Sequence, residues 1–109
     1  MSIEGYIPSC LTEEGLRSLV RNALENRPES ANETFHARFG HLERGLSQDD
    51  VIHGLERNWK FDRKPVFNKD EWQWKYYLAT ESIDGDDLLI IIAVDTLNRS
   101  FEVLTRWRK

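Results

Sequence analysis

The first half of the chain spaces its apolar residues with the period of an α-helix. After Thr12, a residue type that favours helix N-caps, apolar side chains recur three and four positions apart as far as about Asn26. These positions are Leu16, Leu19, Val20, Ala23 and Leu24. The pattern predicts a first amphipathic helix that ends at Arg27-Pro28, because proline cannot continue a helix.

Two further pairs of capping residues predict two more helices. Ser30 with Glu33 opens a second helix that stops near Gly45, and Ser47 with Asp50 opens a short third helix. Their apolar stripes are Phe35, Phe39 and Leu42 for the second helix and Val51, Ile52 and Leu55 for the third. The N-terminal half is therefore interpreted as helical.

From Trp59 onward the apolar residues alternate, which is the period of a β-strand. A first strand around Phe61 and Val66 or Phe67 is placed at a sheet edge or interrupted by Pro65, which cannot donate to a ladder. The unbroken apolar run from Leu88 to Val94 predicts a central strand covered on both faces. Two other strands alternate at Trp72, Trp74, Tyr76 and Leu78 and at Phe101, Val103, Thr105 and Trp107.

These elements predict an α+β fold in which three N-terminal helices pack on one face of a four-stranded antiparallel meander. The 109 residues fit a single domain. We divide it into an N-terminal arm over 1–11, a helical layer over 12–57 and the sheet over 58–109.

The sheet face opposite the helices is predicted to be too apolar to remain exposed. Beside Gln73, Lys75 and Tyr77 it carries one alternate set of central-strand residues, either Leu89, Ile91 and Ala93 or Leu88, Ile90 and Ile92. Monomers rarely expose large apolar patches, so either the N-terminal segment around Ile3, Tyr6 and Ile7 covers this face or a second copy does. We favour a homodimer.

Charge is divided between the two halves of a chain whose net charge is −4. Residues 1–56 contain five Arg and Lys against ten Asp and Glu, whereas residues 57–109 contain ten against nine. The acidic balance argues against a protein that binds nucleic acid through an extended basic surface. Arg57, Lys60, Arg63 and Lys64 form a local basic cluster, which also suits an exposed sheet edge.

Composition indicates a cytoplasmic protein without a cofactor. Cys10 is the only cysteine and can form no internal disulfide. No basic start followed by an apolar run opens the sequence, and no segment reaches the length of a membrane span, so we expect no contact with a membrane. His36 and His41 are five residues apart, not the three or four that would align two metal ligands on a helix, and we predict no metal site.

One segment carries the residue types needed for phosphodiester chemistry. His36, Arg38, His41 and Arg44 lie within nine positions of one another. Histidine titrates near neutrality and arginine pairs with phosphate, so together they could cleave a phosphodiester bond. The alternative is that His36 forms a hydrogen bond at the margin of the core while the other three side chains are solvated.

The string from His36 to Arg44-Gly45-Leu46-Ser47-Gln48-Asp49-Asp50-Val51, with strands that end in Val103-Leu104-Thr105-Arg106, resembles a small bacterial domain of the RelE-like toxin superfamily. The resemblance covers about residues 34–107. It implies a RelE-like sheet with an RNA-binding face opposite the helices and metal-independent endoribonuclease activity. His36, Arg44 and Thr105 match the family string.

Chemistry adds further residues to this candidate site. We assign catalytic roles also to Arg38, His41, Tyr77 and Arg106, and substrate binding to Lys75, Arg57 and Lys60. Two classes of function remain open: a toxin-like endoribonuclease acting on RNA, and a non-catalytic, dimeric module that binds a cognate protein.

Overall fold

The structure, a computed structural model, describes residues 9–25, 36–95 and 100–107, with the side chain of His36 left out. Within these ranges the chain forms two helices and six strands in a single sheet. The helices are α1 (Glu13–Glu25) and α2 (Gln48–Glu56). The strands are β1 (His36–Phe39), β2 (Lys60–Phe61), β3 (Val66–Asn68), β4 (Gln73–Glu81), β5 (Asp87–Asp95) and β6 (Ser100–Trp107).

Both helices begin where the capping residues indicate. The Oγ1 atom of Thr12 accepts a hydrogen bond from the amide of Gly15 at 3.1 Å, ahead of two glutamates in the first turn of α1. At α2, Ser47 Oγ accepts from the amide of Asp50 at 3.3 Å while Asp50 Oδ2 accepts from the amide of Ser47 at 3.1 Å. This reciprocal capping box confirms the third predicted helix.

The second predicted helix is wrong. Phe39 belongs to strand β1, which pairs parallel with β6, and the capping pair Ser30 and Glu33 lies outside the described residues. In β1 the partly buried Ala37 and Phe39 alternate with exposed Arg38, a period of two. The spacing of Phe35, Phe39 and Leu42 also fits a helix, so the sequence pattern did not distinguish a helix from a strand here. Pairing with β6 determines that the segment is a strand.

The predicted four-stranded meander is also wrong, so the fold class differs from the prediction. The strand order is β1-β6-β5-β4-β2, with β3 beside β2 on the same edge of β4, and the β1–β6 pair is parallel while the other pairs are antiparallel. The strand expected around Pro65 is divided into β2 and β3. Strand β4 begins at Gln73, because Trp72 has a positive φ of 55° and ends the preceding turn.

The central position of the apolar run Leu88–Val94 is confirmed. Strand β5 pairs with β4 along one edge and with β6 along the other. Its even-numbered side chains join the core beneath the helices, together with Leu16 and Val20 of α1 and Val51 and Leu55 of α2. Gly54 lets α2 approach the sheet, since an added Cβ would lie 2.9 Å from Thr80 Cγ2 and 3.2 Å from the carbonyl oxygen of Glu81.

Candidate functional site

The face of the sheet opposite the two helices, here called the outer face, collects several of the candidate residues. Because side chains alternate along a strand, the partners of one register position share a face. One such row crosses the sheet as Arg38, Glu102, Ala93, Lys75 and Val66. A second row crosses it as Arg106, Leu89, Ala79 and Lys60.

These two rows bring together cations from both halves of the chain. The two rows contain four cationic residues, Arg38, Lys60, Lys75 and Arg106, and one acidic residue, Glu102. Lys75 and Arg106 lie on the two neighbours of the central strand β5, and their partners on β5, Ala93 and Leu89, are four residues apart. The two rows are therefore net positive in a chain whose net charge is −4.

Tyr77 lies between the two rows, paired with Ile91. The guanidinium of Arg63, from the connection between β2 and β3, sits 4.7 Å from the centre of the Tyr77 ring. Arg63 is held there by Asp62, whose Oδ2 accepts from its Nε at 3.1 Å and its Nη2 at 2.9 Å. The result is a guanidinium stacked on an aromatic ring, a cation–π contact.

The strip of the outer face formed by β5 is apolar. Leu89, Ile91 and Ala93 are 9%, 8% and 6% exposed, so little of their surface reaches water. Leu104 of β6 is paired with Ile91 and is half-buried. Cationic side chains thus stand on both sides of an apolar floor.

Apart from Glu102, the acidic residues on this face stand at the ends of β4 and β5. Asp87 and Asp95 begin and end β5, and Glu81 ends β4. Glu81 is also within 3.5 Å of Arg57, which is the C-cap of α2. The outer face therefore carries charges of both signs, with the four cations in the two rows and most of the carboxylates at the ends of β4 and β5.

The structure brings together five of the ten residues predicted for the site. Arg38, Lys60, Lys75, Tyr77 and Arg106 share the outer face. His36 begins β1, two residues before Arg38, and is paired with Ser100. These positions come from four different strands, which explains why sequence proximity did not reveal them as one group.

The other four predicted residues have different surroundings. Thr105 is fully buried, and its Oγ1 accepts from the amide of Glu43 at 2.7 Å. The carbonyl oxygens of His41 and Arg44 accept from the amide of Thr105 and from Trp107 Nε1, so these residues attach the segment after β1 to strand β6. Arg57 lies beside Glu81 at the end of α2.

The hydroxyl of Tyr76 belongs to the core and not to the outer face. It accepts a hydrogen bond from the amide of Leu11 at 2.9 Å. Burial raises the pKa of Tyr76 to about 12, so the phenol stays protonated at neutral pH. Tyr76 therefore holds the segment before α1 on the sheet and supplies no base.

Sequence reasoning missed two features. Arg63 belonged to the basic cluster, but its position over Tyr77 depends on the turn between β2 and β3. Arg17 and Arg21 were not singled out, although their spacing of four on a predicted helix places them on one face. The structure places both in the lining of a cleft between α1 and the end of α2.

Some expectations lie beyond what the structure describes. The N-terminal residues Ile3, Tyr6 and Ile7, proposed as a cover for the outer face, are outside the described residues. Among the described ranges, no group of three or more His, Cys, Asp and Glu side chains could hold a metal ion. Neither α1 nor α2 has the length and apolar character needed to cross a membrane.

Comparison of the chain with protein families, curated proteins and solved structures finds no match in any of the three. The physical properties of the outer face are accordingly the basis for assigning a function.

Proposed function

We propose that this chain binds single-stranded RNA on the outer face of its sheet. The observation that supports this proposal is the arrangement of Arg38, Lys60, Lys75 and Arg106 around the apolar floor and Tyr77. The rest of the chain is acidic enough to make the net charge −4. Cations gathered on one face of an acidic protein give an RNA strand a favourable place to approach.

Each group on the outer face has a counterpart in a single strand of RNA. Lysine and arginine side chains neutralise phosphates and release counterions, which makes binding weaken as salt rises. The Arg63 guanidinium, which lies over the Tyr77 ring, offers a flat surface on which an unpaired base can stack. A double helix would hide those bases, so the proposal specifies a single strand.

Cleavage of the bound RNA is the second part of the proposal, and the resemblance to RelE-like toxins supports it. A base would remove the proton of the ribose 2′-hydroxyl, the 2′-oxygen would attack phosphorus, and an acid would return a proton to the leaving 5′-oxygen. His36, which begins β1 two residues before Arg38, is the candidate for the base. Arg38, two positions from His36 on β1, would stabilise the charge on the phosphorane, whereas Arg106, four positions along β6 from Glu102, the partner of Arg38, would contact a phosphate further along the RNA.

Binding can be measured by fluorescence anisotropy with a labelled single-stranded RNA. Charge reversal in Lys75→Glu and in Arg106→Glu should each weaken binding about tenfold or more, because each replaces a phosphate contact with repulsion. Lys69→Glu is the matched control, since Lys69 is exposed in the turn after β3, outside the two rows. Equal effects of all three substitutions, or no binding by the wild type, would refute the proposal.

Cleavage needs its own assay, with RNA integrity followed in the presence of a chelator. The wild type should cut the strand, and His36→Ala should abolish cutting while RNA binding persists. Intact RNA with undiminished binding by the wild type would leave the chain an RNA-binding protein and remove the enzymatic part of the proposal.

The apolar floor favours one alternative, a dimeric module that binds proteins. Leu89, Ile91 and Leu104 are surrounded by charges of both signs, the usual anatomy of a protein interface. Sedimentation of the wild type and of Leu104→Asp distinguishes the dimeric module from the RNA-binding protein. A dimer that dissociates in Leu104→Asp, together with absence of RNA binding, would establish the module in place of the RNA-binding protein.

A further inference from the structure

A cleft lies on the helix side of the molecule, where α1 meets the end of α2. The cleft encloses about 530 Å³, within the range of about 300–1,000 Å³ typical of small-molecule sites. Arginines and leucines dominate its lining, namely Arg17, Arg21, Arg57, Leu24 and Leu55. Such a lining suits a ligand with an anionic group and an apolar part.

Helix α1 directs one row of side chains into the cleft. Arg17, Arg21 and Leu24 are four and three residues apart, so they lie on one face of the helix. Two like charges at this spacing destabilise a helix by about 0.2–0.5 kcal/mol. The pair stands in the half of the chain where acidic residues outnumber basic ones ten to five, which makes this concentration of cations local.

Arg17 is fixed in place before any ligand arrives. Its Nη2 donates to the carbonyl oxygen of Trp59 at 2.6 Å, and the guanidinium lies 4.3 Å from the centre of the Trp59 ring. A guanidinium has five N–H donors, so others remain for a phosphate oxygen. Because the side chain is already immobilised, binding costs less conformational entropy.

The carboxylates in the cleft do not cancel its positive charge. Glu25 and Glu56 also line it, against three arginines. Arg57 lies 3.5 Å from Glu81, but both side chains are about half exposed, and such surface pairs are weak. Counted over its lining, the cleft has one guanidinium more than carboxylates, and guanidinium groups match the geometry of phosphate oxygens.

We propose that this cleft binds a small organic phosphate of the size of a mononucleotide. Arg17 and Arg21 hold the phosphate, and the ring system lies against Leu24 and Leu55. This site is separate from the outer face and does not depend on RNA binding there.

The proposal is tested by isothermal titration of the full chain with adenosine 5′-monophosphate and, separately, with inorganic phosphate. The nucleotide should bind saturably and more tightly than phosphate, since phosphate has no ring to contact the leucines. Arg21→Gln should weaken nucleotide binding about tenfold, as expected for loss of a charge-assisted hydrogen bond. Arg21 is exposed, so this substitution should leave the fold unchanged, and circular dichroism checks that it does.

Arg106→Gln on the outer face is the matched control. This substitution should leave nucleotide affinity unchanged, whereas it should weaken the binding of RNA if the proposed function holds. Absence of saturable binding, equal affinity for phosphate and nucleotide, or an affinity insensitive to Arg21→Gln would overturn the proposal. Loss of nucleotide binding in Arg106→Gln would place the ligand on the outer face and overturn it as well.

Discussion

Thr105 is a residue whose hydroxyl has a structural partner. It is fully buried in β6, and its Oγ1 accepts from the amide of Glu43 at 2.7 Å. Thr105→Val keeps the shape of the side chain but removes the acceptor, so the free energy of unfolding should fall by about 1–3 kcal/mol. Urea denaturation measures this loss.

Hydrogen exchange at the amide of Glu43 shows whether loss of its hydrogen bond to Thr105 causes the lower stability of Thr105→Val. Exchange should accelerate in Thr105→Val and stay slow in Thr105→Ser, which keeps the hydroxyl. An unchanged rate in the valine variant would contradict the assigned role.

Asp50 joins α2 to the turn between β4 and β5. Its carboxylate accepts from the amides of Ser47 at 3.1 Å and Ile83 at 3.1 Å, and these bonds lower the pKa of Asp50 below its usual 3.8. The stability that this carboxylate contributes is therefore complete above pH 3.8 and is lost as pH falls through the lowered pKa.

Asp50→Asn tests this pH dependence. Wild type and variant are compared by urea denaturation from pH 6 to pH 2.5. The wild type should be more stable at pH 6, and its advantage should shrink below pH 3.8. If the difference in the free energy of unfolding between wild type and variant stays constant across this range, the charge of Asp50 does not contribute to stability.

The role of a residue could be predicted from the sequence where its partner is a few positions away, and could not where the partner is brought close by the fold. Ser47 and Asp50 were identified as a capping pair because their partners lie three positions apart. Thr105 was given a catalytic role because it matches the string of the RelE-like resemblance, and its partner Glu43, 62 residues away, could not be predicted from the residues around it. The same holds for Arg63 over Tyr77.

At the level of elements, the contact of α2 with the sheet depends on a glycine. In Gly54→Ala the new methyl group would lie 2.9 Å from Thr80 Cγ2 and 3.2 Å from the backbone oxygen of Glu81. The gain of about 1 kcal/mol in helix propensity is smaller than the cost of overpacking, about 1–3 kcal/mol. The variant should therefore unfold at lower urea concentration than the wild type.

Gly15→Ala on α1 is the control for helix propensity. A Cβ there would lie 3.4 Å from Thr12 Oγ1 and 3.5 Å from Leu11 Cδ2, which are ordinary contacts. This substitution should leave stability unchanged or raise it by up to about 1 kcal/mol. A Gly54→Ala protein as stable as Gly15→Ala would contradict the close packing of α2.

The elements that local pattern determines were predicted correctly, and the one that needs a distant partner was not. Helix α1 and strand β5 follow from a long helical stripe and an unbroken apolar run. Strand β1 spans only His36–Phe39, and its four residues carry no period that distinguishes a strand from a helical turn. Its parallel pairing with β6 crosses more than 60 positions of sequence, so tertiary structure decides its conformation.

At the scale of the whole molecule, the sheet separates two environments. Both helices and the core lie on one face, and the cations of four strands gather on the other. The sequence predicted a layer of helices on one side, yet the composition argued against nucleic acid because charge was averaged over the chain. The register of the strands, which composition cannot supply, shows where the cations concentrate.

The most direct test is an NMR titration of the isotope-labelled chain with a short single-stranded RNA. Binding on the outer face predicts that amide shifts change most around Lys75, Tyr77 and Arg106 and least along α1. Changes confined to α1 and the end of α2, or no changes at all, would contradict the assignment of RNA binding to the outer face.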